Sequence, residues 1–273
     1  MSVKRVVLFA GVSAMLWLTI PSVARAQAAA APKIYNTAKQ KLQQGKQIIG
    51  GTITSPDPNM YCAEANAGVD FTWIEMQHSP LNYFQVAALL KACPHALATP
   101  MIRVPDATES DIQKALDIGA LGIVVPTVDT VEKAELAVKW AKYPPFGRRS
   151  QGGGQYREFY GADYRQTAND NVMVIIMIET PLGAANAEKI AAVPGIDVIF
   201  AASGDMGSFS GFKQGQAEYE ALITKVHDAA LKAGLKVGGP LNWISRPGYS
   251  FFQAPDETSF IPLGVQATLK SAK

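Results

Sequence analysis

From residue 48 onward, short and continuous apolar runs alternate with longer segments whose apolar positions recur every three or four residues. "QIIGGTIT" (47–54), "FTWIEM" (71–76), "TPMIRV" (99–104), "GIVVP" (122–126), "VMVIIMI" (172–178), "DVIFA" (197–201) and "LKVGG" (235–239) read as strands buried on both faces. Helical spacing fills the intervals around 58–67, 81–93, 109–118, 131–142, 181–192 and 217–233, with Gly119 as a natural stop after the third of these. "SFIPL" (259–263) supplies an eighth strand. The unit before it, "NWISRPGYSFFQ", is the weakest, because Pro247 and Gly248 interrupt it. A long Gly-rich stretch, "RRSQGGGQYREFYG" (148–161), separates the helix ended by "YPPFG" from the fifth strand, and reads either as a lid or as an exposed loop.

Apolar strands alternating with amphipathic helices mean a parallel sheet covered on both faces. Eight such units fit a closed (β/α)₈ TIM barrel better than an open doubly wound sheet. The open sheet would announce itself by a Gly-rich first turn, and "GGTITSPDP" is neither GxGxxG nor a Walker loop.

In such a barrel the reactive groups stand where strands run into loops at their C-terminal ends. His78, Arg103, Glu179 and Asp205 fall at such positions after the second, third, fifth and sixth strands. Glu179 and Asp205 come from adjacent strands, and two carboxylates completed by water and a chelating substrate suit Mg²⁺ or Mn²⁺. The bland alternative makes each a helix N-cap. Arg103 either faces an anionic oxygen or pairs with a carboxylate inside the mouth. His78 either serves as a general base or is a turn residue before Pro80. Of the other two histidines, His95 precedes the third strand and so lies at the opposite face, and His227 sits on the solvated side of its helix.

The formal charge of +2 over 273 residues, with no basic stripe, gives no electrostatic reason to expect nucleic acid as a partner. The N-terminus does change the picture. Lys4 and Arg5, an apolar run from Val6 to Ile20, Pro21 and then "ARAQ" have the order of a secretory signal, expected to be cleaved after residue 26. An uncleaved anchor is the alternative, but Pro21 would break so short a span. Domain 27–273, opening on the leader "QAAAAP", would then be exported to the periplasm or beyond and free of the membrane. Export permits a disulfide between Cys62 and Cys93. The reading argues against one, because it sets Cys62 early in one helix and Cys93 at the end of the next, more than ~7 Å apart.

"NTAKQKLQQGKQIIGGTIT", "DFTWIEMQHSP", "PMIRVP", "LDIGALGIVVPTVDTVEKAE", "YPPFGRRS" and "IETPLG" follow one another over residues 36 to 266. In that order and spacing they resemble the HpcH/HpaI family of class II, metal-dependent pyruvate aldolases. The resemblance implies that His78 is the base, Arg103 the oxyanion stabiliser, and Glu179 and Asp205 the ligands of Mg²⁺, Mn²⁺ or Co²⁺. It also implies that Asp117 raises the basicity of the histidine, across a subunit boundary if its own barrel keeps it from the mouth. Gly204 matches a position whose backbone contacts substrate. A homo-oligomer, a hexamer in this family, is implied as well.

The chain departs from the family pattern in three places. Glu75 and Gln77 replace the two acidic residues before the histidine, Met177 replaces a substrate-binding amide, and Ser203 precedes Gly204 where the family has proline and alanine. The reading is therefore a metal-dependent carbon–carbon lyase acting on a 4-hydroxy-2-oxo acid through a pyruvate enolate. Its alternatives are a related oxaloacetate decarboxylase or lyase, and an exported binding protein for a 2-oxo acid. Retention of both His78 and Arg103 favours the enzyme, since capture alone needs no proton acceptor.

Overall fold

Strand residues alternate between two apolar environments, and the sheet they form closes on itself. The computed structural model describes Met1 and residues 33–272, so the signal and leader expected over 2–32 lie outside the described residues. Asn36 caps α1 (Thr37–Gln43), which leads into β1 (Ile48–Ile53), α2 (Pro58–Ala65), β2 (Phe71–Glu75), α3 (Tyr83–Ala92), β3 (Thr99–Arg103), α4 (Glu109–Asp117), β4 (Gly122–Val125) and α5 (Val131–Ala141). Then come α6 (Tyr156–Tyr160), α7 (Tyr164–Asn171), β5 (Met173–Ile178), α8 (Pro181–Ala191), β6 (Val198–Ala201), α9 (Ser203–Ser210), α10 (Ala217–Lys232), β7 (Lys236–Pro240), a 3₁₀ turn (Leu241–Trp243), β8 (Tyr249–Asp256) and α11 (Glu257–Ser271). The eight strands are all parallel and close in sequence order, β8 pairing with β1. No described helix is long and apolar enough to cross a membrane.

The period of two along each strand divides the core. Ile48, Phe71, Trp73, Met101, Val124, Ile175, Met177, Phe200 and Phe251 fill the barrel interior, while the alternate residues pack beneath the helices. Each large side chain so buried contributes roughly 1.5–3 kcal/mol. The interior is crowded enough to require glycine: a Cβ on Gly50 would lie 2.0 Å from the Phe71 ring.

The structure corrects three expectations. The eighth strand is Tyr249–Asp256, and "SFIPL" lies inside α11. The Asp256 carboxylate accepts the backbone N–H of Ser259, so an N-cap starts a helix where the apolar run alone suggested a strand. The Gly-rich stretch is loop only to residue 155; the aromatic residues after it form α6 and α7. Tyr156, Tyr160 and Tyr164 stack on one another there, with ring centroids 4.2 and 5.7 Å apart, which a reading for helical period did not detect.

The third correction is the disulfide. Cys62 and Cys93 are bonded, with Cα atoms 5.7 Å apart. Helix α2 ends at Ala65, so Cys62 stands near its C-terminus, level with Cys93 at the C-cap of α3.

Candidate active site

The alternation that fills the interior with apolar side chains also decides which polar groups enter the mouth. Continuing inward from Trp73, Met101 and Met177 brings Glu75, Arg103 and Glu179 to the C-terminal end of the barrel. Glu75 and Arg103 are register partners across β2 and β3, and Arg103 Nη1 donates to Glu75 Oε2 at 3.2 Å. Trp73 Nε1 donates to the same oxygen at 3.2 Å. The other oxygen accepts the backbone N–H groups of Gln77 and His78 at 2.8 and 3.1 Å. One buried carboxylate thus ties the loop carrying His78 to the guanidinium on the next strand. Sequence reasoning had noted Glu75 only as a departure; its place two residues beyond Trp73 on an inward-facing track was the available signal.

Arg103 therefore does form the ion pair that was its bland alternative, but the pair uses only Nη1. Its Nε and Nη2 are buried without a described partner, and they remain free for an anionic oxygen. The His78 ring is exposed and makes no hydrogen bond to a described residue.

Glu179 follows β5 directly, and Thr180 rather than Glu179 caps α8, its hydroxyl accepting from Gly183 at 3.0 Å. Glu179 Oε1 accepts from the Thr127 amide at 2.6 Å and the Thr127 hydroxyl at 2.9 Å. Thr127 holds this position with φ of +49°, a left-handed conformation that costs a threonine about 1–2 kcal/mol. The sequence carries no sign of it beyond a threonine just past β4. Glu179 Oε2 is buried with no partner. Burial pushes its carboxyl above the usual carboxylate range, and the neighbouring Asp205 charge pushes the same way; Thr127 and Arg103 act against both. Asp205 lies in the first turn of α9, whose N-cap is Ala202, so neither carboxylate is an N-cap.

This environment fits a divalent cation. An acceptor buried without a donor costs about 1–3 kcal/mol, and a positive ion beside the buried Glu179 carboxylate would offset both its burial and the neighbouring Asp205 charge. Oxygen donors select Mg²⁺ or Mn²⁺ over softer metals. Among the described residues no three His, Cys, Asp or Glu side chains cluster, so two protein ligands leave coordination positions for water and substrate.

The remaining candidates divide. Met177 is buried in β5, facing the interior below Glu179. Ser203 and Gly204 open α9, and a Cβ on Gly204 would meet nothing within 4 Å, so its backbone borders open space. Asp117 is not brought to the mouth of its own barrel. It is the last residue of α4, where the chain turns back to enter β4 from the opposite face, and its Oδ1 accepts from Arg149 Nη2 at 2.8 Å. Arg149 is itself fully buried, with its guanidinium 4.7, 5.6 and 5.4 Å from the rings of Tyr143, Tyr156 and Tyr164. His95 is exposed ahead of β3, as expected. His227 is not simply solvated: its ring stacks on Tyr249 at 5.3 Å, and its Nε2 lies 3.1 Å from the Pro247 carbonyl.

Comparison with known proteins agrees with this architecture. The chain is 35% identical over 201 residues to 2-dehydro-3,6-dideoxy-6-sulfogluconate aldolase of Pseudomonas putida, covering 72% of this chain and 79% of the relative. It is 31% identical over 213 residues to hydroxypyruvate/pyruvate aldolase of Paraburkholderia phytofirmans, covering 74% and 82%. A crystal structure of an HpcH/HpaI aldolase/citrate lyase family protein from Burkholderia cenocepacia superposes with a TM-score of 0.79 at 28% identity, over 87% of this chain and 99% of that one. The family model for HpcH/HpaI aldolase/citrate lyase matches residues 53–239, which run from the end of β1 into β7 and include every polar group described at the mouth, and the chain belongs to that family.

Proposed function

We propose that the barrel mouth cleaves 4-hydroxy-2-oxo acids, releasing an aldehyde and pyruvate, with a divalent cation held by Glu179 and Asp205. The class, a carbon–carbon lyase of aldolase type, rests on the family and on relatives named as pyruvate aldolases. The observation that carries the site assignment is the pair of unfilled valences facing one mouth: buried Glu179 Oε2 without a donor, and buried Arg103 Nε and Nη2 without an acceptor. When bound, the cation would supply Lewis acidity to a chelated 2-oxo acid. Arg103 then faces the oxygen on which negative charge develops, inside a mouth too dry to screen it. In cleavage His78 takes the proton of the C4 hydroxyl, the C3–C4 bond breaks as that oxygen becomes the aldehyde carbonyl, and the proton is delivered to C3 of the three-carbon fragment; addition runs the same steps in reverse. Glu75 holds the His78 backbone and Arg103 at fixed positions through one carboxylate.

Substituting alanine at Glu179 or Asp205 should abolish Mn²⁺ binding in the presence of pyruvate, as measured by calorimetry, with the circular dichroism of the barrel retained. Parent-like Mn²⁺ binding by either variant would remove the metal assignment.

Export is part of the proposal. The Cys62–Cys93 bridge supports an oxidising compartment, in line with the signal sequence. Non-reducing mass spectrometry of protein from the native host should find the linked cysteine peptides and a mature N-terminus near Gln27. An intact Met1 with free thiols would contradict export. We propose further that the protein is a homo-oligomer, a hexamer by family resemblance, in which Asp117 could meet the histidine of a neighbouring copy. The exposed apolar side chains of α11 support self-association.

A further inference from the structure

The carboxylates and Arg103 occupy the mouth over β2 to β6. Over the ends of β7, β8 and β1 the same mouth continues into an open cavity of about 410 Å³, a size typical of small-molecule sites. Register sets what lines it. Gly50 pairs with Phe71 and with Gln253, Gln253 pairs with Pro240, and Thr52 pairs with Trp73. Because Phe71 and Trp73 face the barrel interior, Gln253, Pro240 and Thr52 do too, and they share the C-terminal end of that interior with Glu75 and Arg103.

The polar groups in this cavity are neutral and specifically aimed. The Thr52 hydroxyl donates to the Ala254 carbonyl at 2.7 Å and accepts from Gln253 Nε2 at 3.2 Å. That contact uses the Gln253 amide nitrogen and leaves the Oε1 of this lining residue with no hydrogen bond to a described residue. Asn242, exposed on the 3₁₀ turn after β7, presents a second amide. Pro240 and Leu241 complete an apolar wall, and among the described residues no lysine or arginine borders the cavity. The nearest charge is negative: Asp256, whose Oδ1 accepts from Thr258 and Ser259 at the start of α11.

We infer that this cavity holds the aldehyde half of the substrate and selects a neutral hydroxyaldehyde. The inference rests on the pyruvate-enolate reading above. Gln253 Oε1 and the Asn242 amide can accept from and donate to hydroxyl groups, which an unsubstituted alkanal cannot reciprocate. An aldehyde bearing a carboxylate, sulfonate or phosphate would meet no cation there and would lie beside the Asp256 carboxylate, a repulsive element against it. Thr52 on β1 and Gln253 on β8 are thus specificity determinants.

The test is aldol addition to pyruvate with Mn²⁺, comparing kcat/KM for glyceraldehyde, propanal and succinic semialdehyde. The parent should favour glyceraldehyde over each of the others by at least ~10-fold. Gln253→Leu and Asn242→Ala should each lower the glyceraldehyde-to-propanal ratio by about 5- to 10-fold, a ratio that cancels any loss common to both acceptors. Gln253→Arg should raise succinic semialdehyde relative to glyceraldehyde. A parent that uses propanal or succinic semialdehyde as well as glyceraldehyde, or ratios unmoved by both amide substitutions, would overturn the inference. Exchange of pyruvate methyl protons with solvent, followed with no aldehyde present, separates the two levels. Exchange without acceptor preference defeats the hydroxyaldehyde assignment alone, whereas absence of exchange defeats the enolate reading and this inference with it.

Discussion

Glu75 shows how much of this site depends on single carboxylates placed on inward-facing tracks. Its two oxygens receive four donors from three strand or loop positions, so the charge-assisted bonds that hold Arg103 also hold the turn of His78. Glu179 is held at Oε1 by Thr127, while its buried Oε2 has no partner among the described residues. Glu64 presents the opposite case, a carboxylate that no function absorbs. It stands on α2 with Oε1 buried and unpartnered, close over Gly51. Burial, reinforced by Glu257 and Asp256, pushes its carboxyl up to about 8. An acid raised in the folded state keeps its proton while the unfolded chain, with an ordinary carboxylate, has lost it. Folding stability therefore falls as pH rises from about 4.5 towards 8 and levels above that. Glu64→Gln removes this slope, so its gain in melting temperature over the parent should be small at pH 5 and larger at pH 8. Equal differences at the two pH values would show that Glu64 is ionised in the fold.

Among the elements, seven strands were legible because each is a short run buried on both faces, bounded by breakers. The eighth was misplaced because "SFIPL" has strand-like composition, and only the Asp256 cap reveals the helix. Helices α6 and α7 were hidden behind a glycine run, their stability coming from tyrosine stacking and from Arg149 rather than from an amphipathic period. Helix α11 is the least satisfied element. Of its residues only Glu257 is buried, while Ile261, Leu263, Val265 and Leu269 are each more than half exposed. An apolar helix left in water is destabilising, and a second copy would cover it. Light scattering at micromolar concentration should accordingly show an oligomer, and Leu263→Asp with Leu269→Asp should shift it to a smaller species. A monomeric parent would contradict self-association through this helix.

At the scale of the whole molecule, the barrel explains why the strand-end positions of His78, Arg103, Glu179 and Asp205 were legible in the sequence while the groups that hold them were not. A polar residue at the end of a continuous apolar strand stands out in a linear reading. The contacts of Thr127 with Glu179 and of Glu75 with Arg103 depend on backbone conformation and register, which appear only when the sheet closes. The disulfide escaped for a similar reason, since the packing of α2 against α3 that brings its sulfurs together appears only in the assembled fold. Asp117 lies at the other face of its own barrel, so any role at a mouth depends on assembly. The central claim is that these groups together form a pyruvate enolate, and proton exchange tests it without knowledge of the aldehyde. With Mn²⁺ or Mg²⁺ present, NMR of pyruvate in deuterium oxide should show catalysed loss of the methyl signal. His78→Ala should slow that loss by at least ~10²-fold, with little change in pyruvate affinity, because a positioned base contributes ~10²–10⁴-fold while the cation and Arg103 still hold the acid. Equal exchange by parent and variant would make His78 a turn residue, and no exchange by the parent with either metal would contradict the enolate account itself.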